Sequence, residues 1–298
     1  MKRRTLPLLT AFFFLLLSPL APAQSSDKPA ALFPIVQNRK YGYIDRAGKV
    51  VIPPRFDYAR PFTEGLGGVV INGKAGYVDI AGQTVIPPRF EQAWPFSDGL
   101  ALVVQAGNAG YIDKTGAFVI QPQYKRAWPF SDGLARVAVG PRGGYIDKTG
   151  RMVINPQFLS VGDFAEGLAP VILSYGGKWG YIDKTGKVII SPQFYNAGVF
   201  SENMAPVVFS PGGKWGYIDR DGDPVIRPQF NRAFPFSEGL AAVETPDGYG
   251  YIDLTGKLFM HMQFYRAWPF SEGLSRVLVG SKYGYIDKTG KYVWSPTE

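Results

Sequence analysis

The sequence predicts an all-β fold, built as a tandem array of eight three-stranded antiparallel β-meanders of about 34 residues each. A Tyr-(Ile/Val)-Asp motif recurs at spacings of 34 or 36 residues, which indicates one small unit repeated along the chain. Short alternating apolar runs are bounded by Gly-rich turns, and no long helical pattern is present in the sequence. The eight copies of the motif begin at Tyr43, Tyr77, Tyr111, Tyr145, Tyr181, Tyr217, Tyr251 and Tyr285.

Each unit reads as three strands joined by two turns. In one unit these strands fall at 100–104, 109–113 and 118–120, with the sequence Asp113-x-x-Gly116 between the second and third. An Asp that opens a turn can accept hydrogen bonds from the backbone ahead of it, and the closing Gly can take positive φ. Calcium loops need several closely spaced oxygens, so one Asp per repeat predicts a structural turn and not a metal site.

A second block recurs between the units, as in residues 88–100. Its aromatic residues at i and i+6 with a small residue at i+3 predict a single tight turn that docks two rings into the core. The block closes with Gly in six copies and with Asn203 in the seventh, which predicts a backbone of positive φ at this position.

The array can be an open stack or a closed ring. Its first unit begins with a first strand, near Leu32, and its eighth ends with a third strand, near Trp294, so both termini fall in the same phase. A β-propeller commonly mixes strands from both termini in one blade and has four strands in each blade. Three strands per unit and the lack of an offset favour an open, solenoid-like stack. The alternative is an eight-bladed β-propeller-like ring.

The N-terminus is typical of an exported protein. A basic start is followed by a short apolar run and by small residues at Ala21 and Ala23, which predicts a signal peptide over 1–23. The apolar run is too short for a membrane-spanning helix. Residues 24–31 are predicted to be a short tether, and 32–298 the repeat domain. We therefore expect a periplasmic or extracellular protein with no membrane span after cleavage.

Composition argues against several classes of function. The formal net charge is +8, but the basic residues are scattered along the chain, and together with export this argues against nucleic acid as a partner. The chain has no cysteine and a single histidine, His261, which we interpret as a variant of the repeat. Carboxylates recur evenly in the linkers instead of converging at one irregular place. We therefore expect no enzyme activity, no metal and no cofactor.

Two stretches of the chain carry a family resemblance. Residues 178–187 and 214–219 share the pattern Lys-Trp-Gly-Tyr-Ile-Asp, and the continuation at 191–194 and the Phe-Ser-(Glu/Asp)-Gly-Leu block extend it. This pattern resembles the WG-containing repeat, also called the KWG repeat, of many bacterial proteins. The resemblance covers residues 32–298, although the signature Trp is present only as Trp179 and Trp215. It implies a β-rich array, commonly exported or membrane-associated, with no catalytic residues to carry over.

Two functions remain open after these exclusions. The first is a non-catalytic scaffold or interaction surface for a protein partner in the cell envelope. The second is a module that binds cell-wall carbohydrate through exposed aromatic rings. The candidate binding residues for these functions are Trp94, Trp128, Tyr175, Trp179, Trp215, Tyr249 and Trp268.

Overall fold

The computed structural model describes residues 31–297, and all the regular secondary structure in this range is β. The signal peptide predicted over 1–23, nearly all of the predicted tether and the side chain of His261 lie outside the described residues. The strands are β1 (Phe33–Gln37), β2 (Lys40–Ile44), β3 (Val50–Phe56), β4 (Tyr58–Thr63), β5 (Leu66–Ile71), β6 (Lys74–Val78), β7 (Thr84–Phe90), β8 (Gln92–Ala93), β9 (Ala101–Gln105), β10 (Asn108–Ile112), β11 (Phe118–Tyr124), β12 (Arg126–Ala127), β13 (Ala135–Val139), β14 (Arg142–Ile146), β15 (Met152–Phe158), β16 (Ser160–Val161), β17 (Leu168–Ile172), β18 (Trp179–Asp183), β19 (Val188–Phe194), β20 (Asn196–Ala197), β21 (Ala205–Val208), β22 (Trp215–Ile218), β23 (Pro224–Phe230), β24 (Arg232–Ala233), β25 (Leu240–Thr245), β26 (Gly248–Asp253), β27 (Leu258–Phe264), β28 (Arg266–Ala267), β29 (Leu274–Val279), β30 (Lys282–Asp287) and β31 (Tyr292–Thr297).

These strands form eight antiparallel sheets, which we call blades 1 to 8 in chain order. Blade 1 contains β1–β3, and each later blade contains the next four strands in sequence. Within a four-stranded blade the strands are called A, B, C and D. The described residues of blade 1 form strands B, C and D. The turns between A and B and between C and D lie at one end of each blade, the lower face. The B–C turns and the connections from D to the next A lie at the upper face.

The prediction of three strands per unit is wrong for seven of the eight blades, because the linker block supplies a short strand A. In blade 3, strand A pairs with strand B through Gln92↔Val104 and Ala93↔Val103. Trp94 N–H continues this pairing by donating to Leu102 O at 2.9 Å. Strand A is so short that its apolar and polar residues do not alternate over enough positions to indicate a strand. The sequence of the block therefore predicts a linker.

The predicted tight turn in this block is also wrong, because strand A ends in a two-residue hairpin turn. In blade 3 the turn is Asp98-Gly99, with φ of 56° and 85°, and Ser97 pairs with Leu100 on either side of it. Positive φ at both central residues defines a type I′ turn, whose twist matches that of the strands it joins. The prediction of positive φ at Asn203 is confirmed, with φ of 63°. The predicted docking of two rings is also confirmed, because Phe90 and Phe96 are both fully buried.

The Asp-x-x-Gly motif forms the C–D turn in every blade, as predicted. In blade 5 the Asp183 carboxylate accepts hydrogen bonds from the backbone N–H groups of Thr185 and Lys187, at 2.9 and 3.0 Å. Gly186 closes the turn with φ of 88°. The same two backbone bonds recur at Asp45, Asp79, Asp113, Asp147, Asp219, Asp253 and Asp287.

The Gly that precedes the repeated Tyr is required by the path of strand D. Strand D carries extra residues opposite strand C, and this bulge brings its backbone against the Gly. A Cβ on Gly180 would lie 2.6 Å from Ile190 O and 2.8 Å from Pro192 N. These are backbone atoms that no side-chain movement can clear, so the repeat needs a residue without a side chain here.

Neighbouring blades are joined by a buried core at every interface. The core contains eight hydrophobic clusters, and each draws residues from two adjacent blades. The repeated Tyr lies in these clusters, and its hydroxyl donates to a backbone carbonyl of the next blade, as Tyr181 does to Gly198 O at 2.8 Å. Its ring packs against the Phe of the next strand A, with Tyr181 and Phe200 centroids 4.9 Å apart. The aromatic residues therefore stabilise the contacts between adjacent blades.

The eighth cluster joins blade 8 to blade 1, so the blades form a ring. Tyr285 of blade 8 donates to Pro34 O of blade 1 at 2.9 Å and packs against Phe33 with centroids 5.5 Å apart. On the lower face, Arg46 of blade 1 forms an ion pair with Glu272 of blade 8. The predicted open stack is wrong, and the alternative, an eight-bladed β-propeller, is the fold. Side-chain packing closes the ring without a strand shared between the termini. The matching phase of the two termini is therefore compatible with a closed ring and does not indicate an open stack.

The linker carboxylates form contacts between blades on the lower face. Glu64 of blade 2 accepts from Gly99 N of blade 3 at 3.0 Å and pairs with Lys114 of the same blade at 3.1 Å. Asp132 repeats this arrangement with Gly167 N and Lys184. These carboxylates therefore link adjacent blades, and because each blade contact repeats, they are evenly spaced in the sequence.

Candidate functional site on the upper face

The upper face carries aromatic rings with arginine side chains packed against them. The clearest cluster is in blade 4, where the guanidinium carbons of Arg136 and Arg126 lie 4.3 and 5.4 Å from the ring centroid of Trp128. Arg136 also donates to Val161 O and pairs with the Asp163 carboxylate of blade 5 at 2.6 Å. The indole is half-buried, so part of it is open to a ligand.

Blade 8 has a similar cluster, but no described carboxylate corresponds to Asp163. Arg276 and Arg266 lie 4.3 and 5.3 Å from the ring of Trp268, and Arg276 also lies 5.0 Å from the ring of Tyr283. Arg276 has the position in strand B that Arg136 has in blade 4. Among residues 31–297 no carboxylate pairs with Arg276, because blade 1 has no strand A to supply one.

A third cluster spans blades 1 to 3. Arg60 of blade 2 lies 5.4 Å from the ring of Trp94 and 5.5 Å from that of Tyr58. Tyr58 packs in turn on Tyr41 of blade 1, with ring centroids 5.0 Å apart. Burial, reinforced by the neighbouring Tyr58, raises the pKa of Tyr41, so this phenol is neutral and can donate a hydrogen bond.

The other candidate residues lie at the start of strand C or in a B–C turn. Trp179 and Trp215 are half-buried against the clusters that join blades 5 to 6 and 6 to 7. Tyr249 is 6% exposed, packs in the core between blades 7 and 8, and directs its hydroxyl to the Glu244 carboxylate at 3.2 Å. Tyr175 is 80% exposed in the B–C turn of blade 5, with Arg142 lying 5.8 Å from its ring.

The ring distributes these residues instead of gathering them. Trp94 and Trp128 lie in neighbouring blades, whereas Trp268 lies in blade 8. The arginines that accompany the tryptophans were not predicted from the sequence. A signal for two of them was present, because Arg136 and Arg276 interrupt apolar runs at the same position of strand B. A cation inside a strand flanked by buried residues indicates a partner outside that strand.

A cavity of about 180 Å³ lies at the upper face where blade 8 meets blades 1 and 2. Its lining includes Pro34 and Val36 of β1, Tyr58 of blade 2, and Arg276 and Tyr283 of blade 8. Strand β1 pairs only with β2, so its other edge faces the place that strand A has in the other blades. We call this cavity the notch.

The side chains of the upper face can form several kinds of non-covalent contact. Indole, phenol and guanidinium groups can stack, donate hydrogen bonds and attract carboxylates. Within residues 31–297 no three His, Asp or Glu side chains are close enough together to hold a metal ion. The same part of the chain contains no helix that could cross a membrane.

The fold and this surface define a class, the repeat β-propeller with aromatic and cationic side chains on one face. A family profile described as "WG containing repeat" matches the chain seven times, over residues 41–74, 76–108, 110–140, 144–175, 179–210, 215–245 and 249–283. These matches cover more than half of the chain, so the protein belongs to the WG-containing repeat family. The family prediction made from the repeat motif is confirmed.

Solved structures resemble this chain in fold alone. A eukaryotic initiation factor aligns with a TM-score of 0.57 and 11% identity, over 88% of this chain and 95% of its own. Dihydro-heme d1 dehydrogenase NirN in complex with DHE aligns with a TM-score of 0.58 and 12% identity, over 92% and 75%. BamB from Moraxella catarrhalis aligns with a TM-score of 0.50 and 13% identity, over 87% and 92%. No curated protein matched the chain.

Proposed function

We propose that this chain is an exported, non-catalytic interaction module of a bacterial cell envelope, and that its upper face binds a protein partner in the periplasm or outside the cell. The observation that carries the proposal is the packing of Arg126 and Arg136 on Trp128, repeated by Arg266 and Arg276 on Trp268. Trp, Tyr and Arg are the residues that most often contribute binding energy at protein interfaces. A rigid ring presents them without ordering a loop.

A protein partner fits these clusters better than a sugar does. Carbohydrate stacking needs a free aromatic face, and the tryptophan rings of blades 4 and 8 already have guanidinium groups against them. The arginines instead favour a partner with carboxylates. The regular ring, with its linker acids engaged between blades, supports a role without catalysis, cofactor or nucleic acid.

The test uses the full chain with charge reversal on the upper face. Arg126→Glu and Arg266→Glu change exposed side chains, so the fold should be retained and circular dichroism verifies it. The purified chain is first cross-linked to its partner in an envelope fraction. The partner is then identified and purified for binding measurements. We expect the double variant to weaken binding of that partner at least about tenfold. The matched control is Leu254→Ala, an exposed apolar side chain in a C–D turn on the lower face. Equal binding by the double variant and by the control would refute the proposal.

Carbohydrate binding is the second candidate, and the exposure of Tyr175 favours it. A phenol that is 80% exposed in a turn is free to stack on a sugar ring. Titration with soluble peptidoglycan fragments, followed by tryptophan and tyrosine fluorescence, tests it. Saturable binding that is lost in Tyr175→Ala but kept in the Arg126→Glu, Arg266→Glu variant would support the glycan and not the protein partner.

A further inference from the structure

We propose that the notch binds an extended segment of another polypeptide, which pairs with β1 as the missing strand A and places a carboxylate on Arg276. The inference deepens the proposed function and rests on it, because it names the chemistry of one protein contact. Extended peptides commonly add a strand to a free sheet edge, and backbone hydrogen bonds then supply part of the affinity.

Blade 5 shows how a strand A binds at this position, which we call the strand A seat. Its strand A, Ser160–Val161, pairs with Ile172 and Val171 of strand B, and Gly162 N–H donates to Pro170 O at 2.8 Å. Arg136 of the preceding blade holds this strand from the side through Val161 O and the Asp163 carboxylate. The seat thus consists of one strand edge, one proline and one arginine.

Blade 1 has the same three parts, and residues 31–297 contain no strand A for it. Pro34 pairs with Tyr43 as Pro170 pairs with Tyr181, so the two prolines have the same place in strand B. By the same register Ile35 and Val36 correspond to Val171 and Ile172. Arg276 corresponds to Arg136, stacks on Trp268 in the same way and lines the notch.

The proline determines which residue can lie opposite it. A Cβ on Gly162 would lie 2.5 Å from Pro170 Cγ, and a Cβ on Gly198 of blade 6 would lie 2.7 Å from Pro206 Cγ. Pro34 imposes the same restriction on the notch, so the incoming strand needs Gly at this place. The residue before this Gly faces the core, where the other blades have Ala or Val. The residue after it faces Arg276 and has to be acidic.

Phe33 determines where the incoming strand stops. Its position in strand B is Gly, Ala or Ser in every other blade. The strand A Phe covers that position elsewhere, since a Cβ on Gly67 would lie 2.5 Å from the Phe62 ring. In blade 1 the Phe33 ring itself packs on Tyr285, as a strand A Phe does in the other blades. The ligand therefore ends, or turns away, directly after its acidic residue.

The chain's own sequence before β1 matches this arrangement only at its acidic residue. Counted back from Leu32, Ser26 corresponds to Gly162 and Asp27 to Asp163, so the Gly that Pro34 requires is not present. In the sequence, Ala30 and Ala31 correspond to the two residues of the type I′ turn, which in the other blades are an acidic residue followed by Gly or Asn. The features required are small apolar, Gly and acidic in succession, and a second polypeptide can supply them.

Binding requires one hydrogen bond to be exchanged. Tyr285 now donates to Pro34 O, the acceptor that the Gly N–H of the ligand would use. In the occupied blade 5 seat the corresponding Tyr145 donates to Gly162 O of strand A at 2.8 Å instead. The Tyr285 hydroxyl would move in the same way to the carbonyl of the ligand Gly, so no buried polar group loses its partner.

The probe is a fluorescein-labelled, C-terminally amidated peptide Leu-Ser-Val-Gly-Asp, which copies residues 159–163. Fluorescence anisotropy with the full chain should show saturable binding. Arg276→Gln in the protein, or Asp→Asn in the peptide, should each weaken it at least about tenfold, because a charge-assisted pair is lost. Replacing the peptide Gly by Ala should abolish it. The control Arg151→Gln changes an exposed arginine in the C–D turn of blade 4, on the lower face, and should leave binding unchanged.

Four outcomes would overturn the inference. One is an absence of saturable binding, the second is equal binding of the Gly and Ala peptides, and the third is binding that Arg276→Gln does not alter. The fourth is binding of the peptide to an Asp27→Asn variant but not to the unsubstituted chain. Asp27 corresponds to Asp163 in the sequence, so this result would mean that the chain's own N-terminal residues are the occupant. The proposed function is judged separately, because its partner binding is lost through Arg126 and Arg266 and does not depend on this peptide.

Discussion

The Tyr285 hydroxyl of the last blade donates to Pro34 O of the first blade at 2.9 Å, and this bond closes the ring. The other seven repeated tyrosines bond to strand A of the next blade. Tyr285 bonds to strand B instead, and the described part of blade 1 has no strand A. The ring is therefore continuous although one of its blades is incomplete.

Tyr285→Phe should weaken closure of the ring. The variant keeps the ring packing on Phe33 but leaves the Pro34 carbonyl without its donor, which should cost about 1–3 kcal/mol of unfolding free energy. Urea denaturation followed by circular dichroism measures it. Tyr175→Phe is the control, since that hydroxyl lies on an exposed side chain and its loss should have no effect. Equal midpoints for the two variants would mean that the closing bond does not contribute.

Alkaline pH should unfold the protein steeply. Burial raises the pKa of all eight repeated tyrosines above 10, so above pH 10 they ionise in the unfolded chain but stay protonated in the fold. The folded state then binds more protons, so stability is complete below pH 10 and is lost as pH rises, by about 1.4 kcal/mol per pH unit for each tyrosine.

The measurement is phenolate absorbance against circular dichroism between pH 9 and 13. Of the 17 tyrosines, at least the eight repeated ones should ionise only together with loss of the β signal. Full ionisation of all 17 in a protein that keeps its fold would contradict the burial argument.

Some of these features could be predicted from sequence, and others could not. The C–D turn was predictable because Asp and Gly act within one turn, through bonds between residues two to four apart. The Asp98-Gly99 turn was equally local, and an acidic residue followed by Gly between strands is a hairpin signal. It was missed because the block was treated as one linker. Closure of the ring depends on contacts between residues 251 apart in sequence, which no local pattern encodes.

Gly180→Ala should be strongly destabilising although it adds one methyl group. The new Cβ would lie 2.6 Å from a backbone oxygen of strand D, and only movement of the bulge can relieve that contact. We expect a loss of at least about 2–3 kcal/mol in thermal or urea unfolding. Gly68→Ala is the matched control, because its Cβ would find only side-chain atoms, at 3.6 Å or more. That variant should be neutral or slightly more stable, since alanine lowers the entropy of the unfolded chain. Similar losses in both variants would refute the role given to the bulge.

Phe33→Ala should destabilise the interface between blades 8 and 1 more than it destabilises any other interface between blades. The Phe33 ring takes the place of a strand A Phe, and no strand A among the described residues can refill the space. The loss of a buried phenylalanine costs about 3–5 kcal/mol, and urea denaturation measures it. Phe259→Ala is the control, because that ring is 55% exposed in strand D and its loss should stay within about 0.5 kcal/mol. A Phe33→Ala variant as stable as this control would show that the ring closes without the phenylalanine. Addition of the Leu-Ser-Val-Gly-Asp peptide extended by a C-terminal Phe should restore part of the lost stability, since its ring can enter the cavity that the substitution opens.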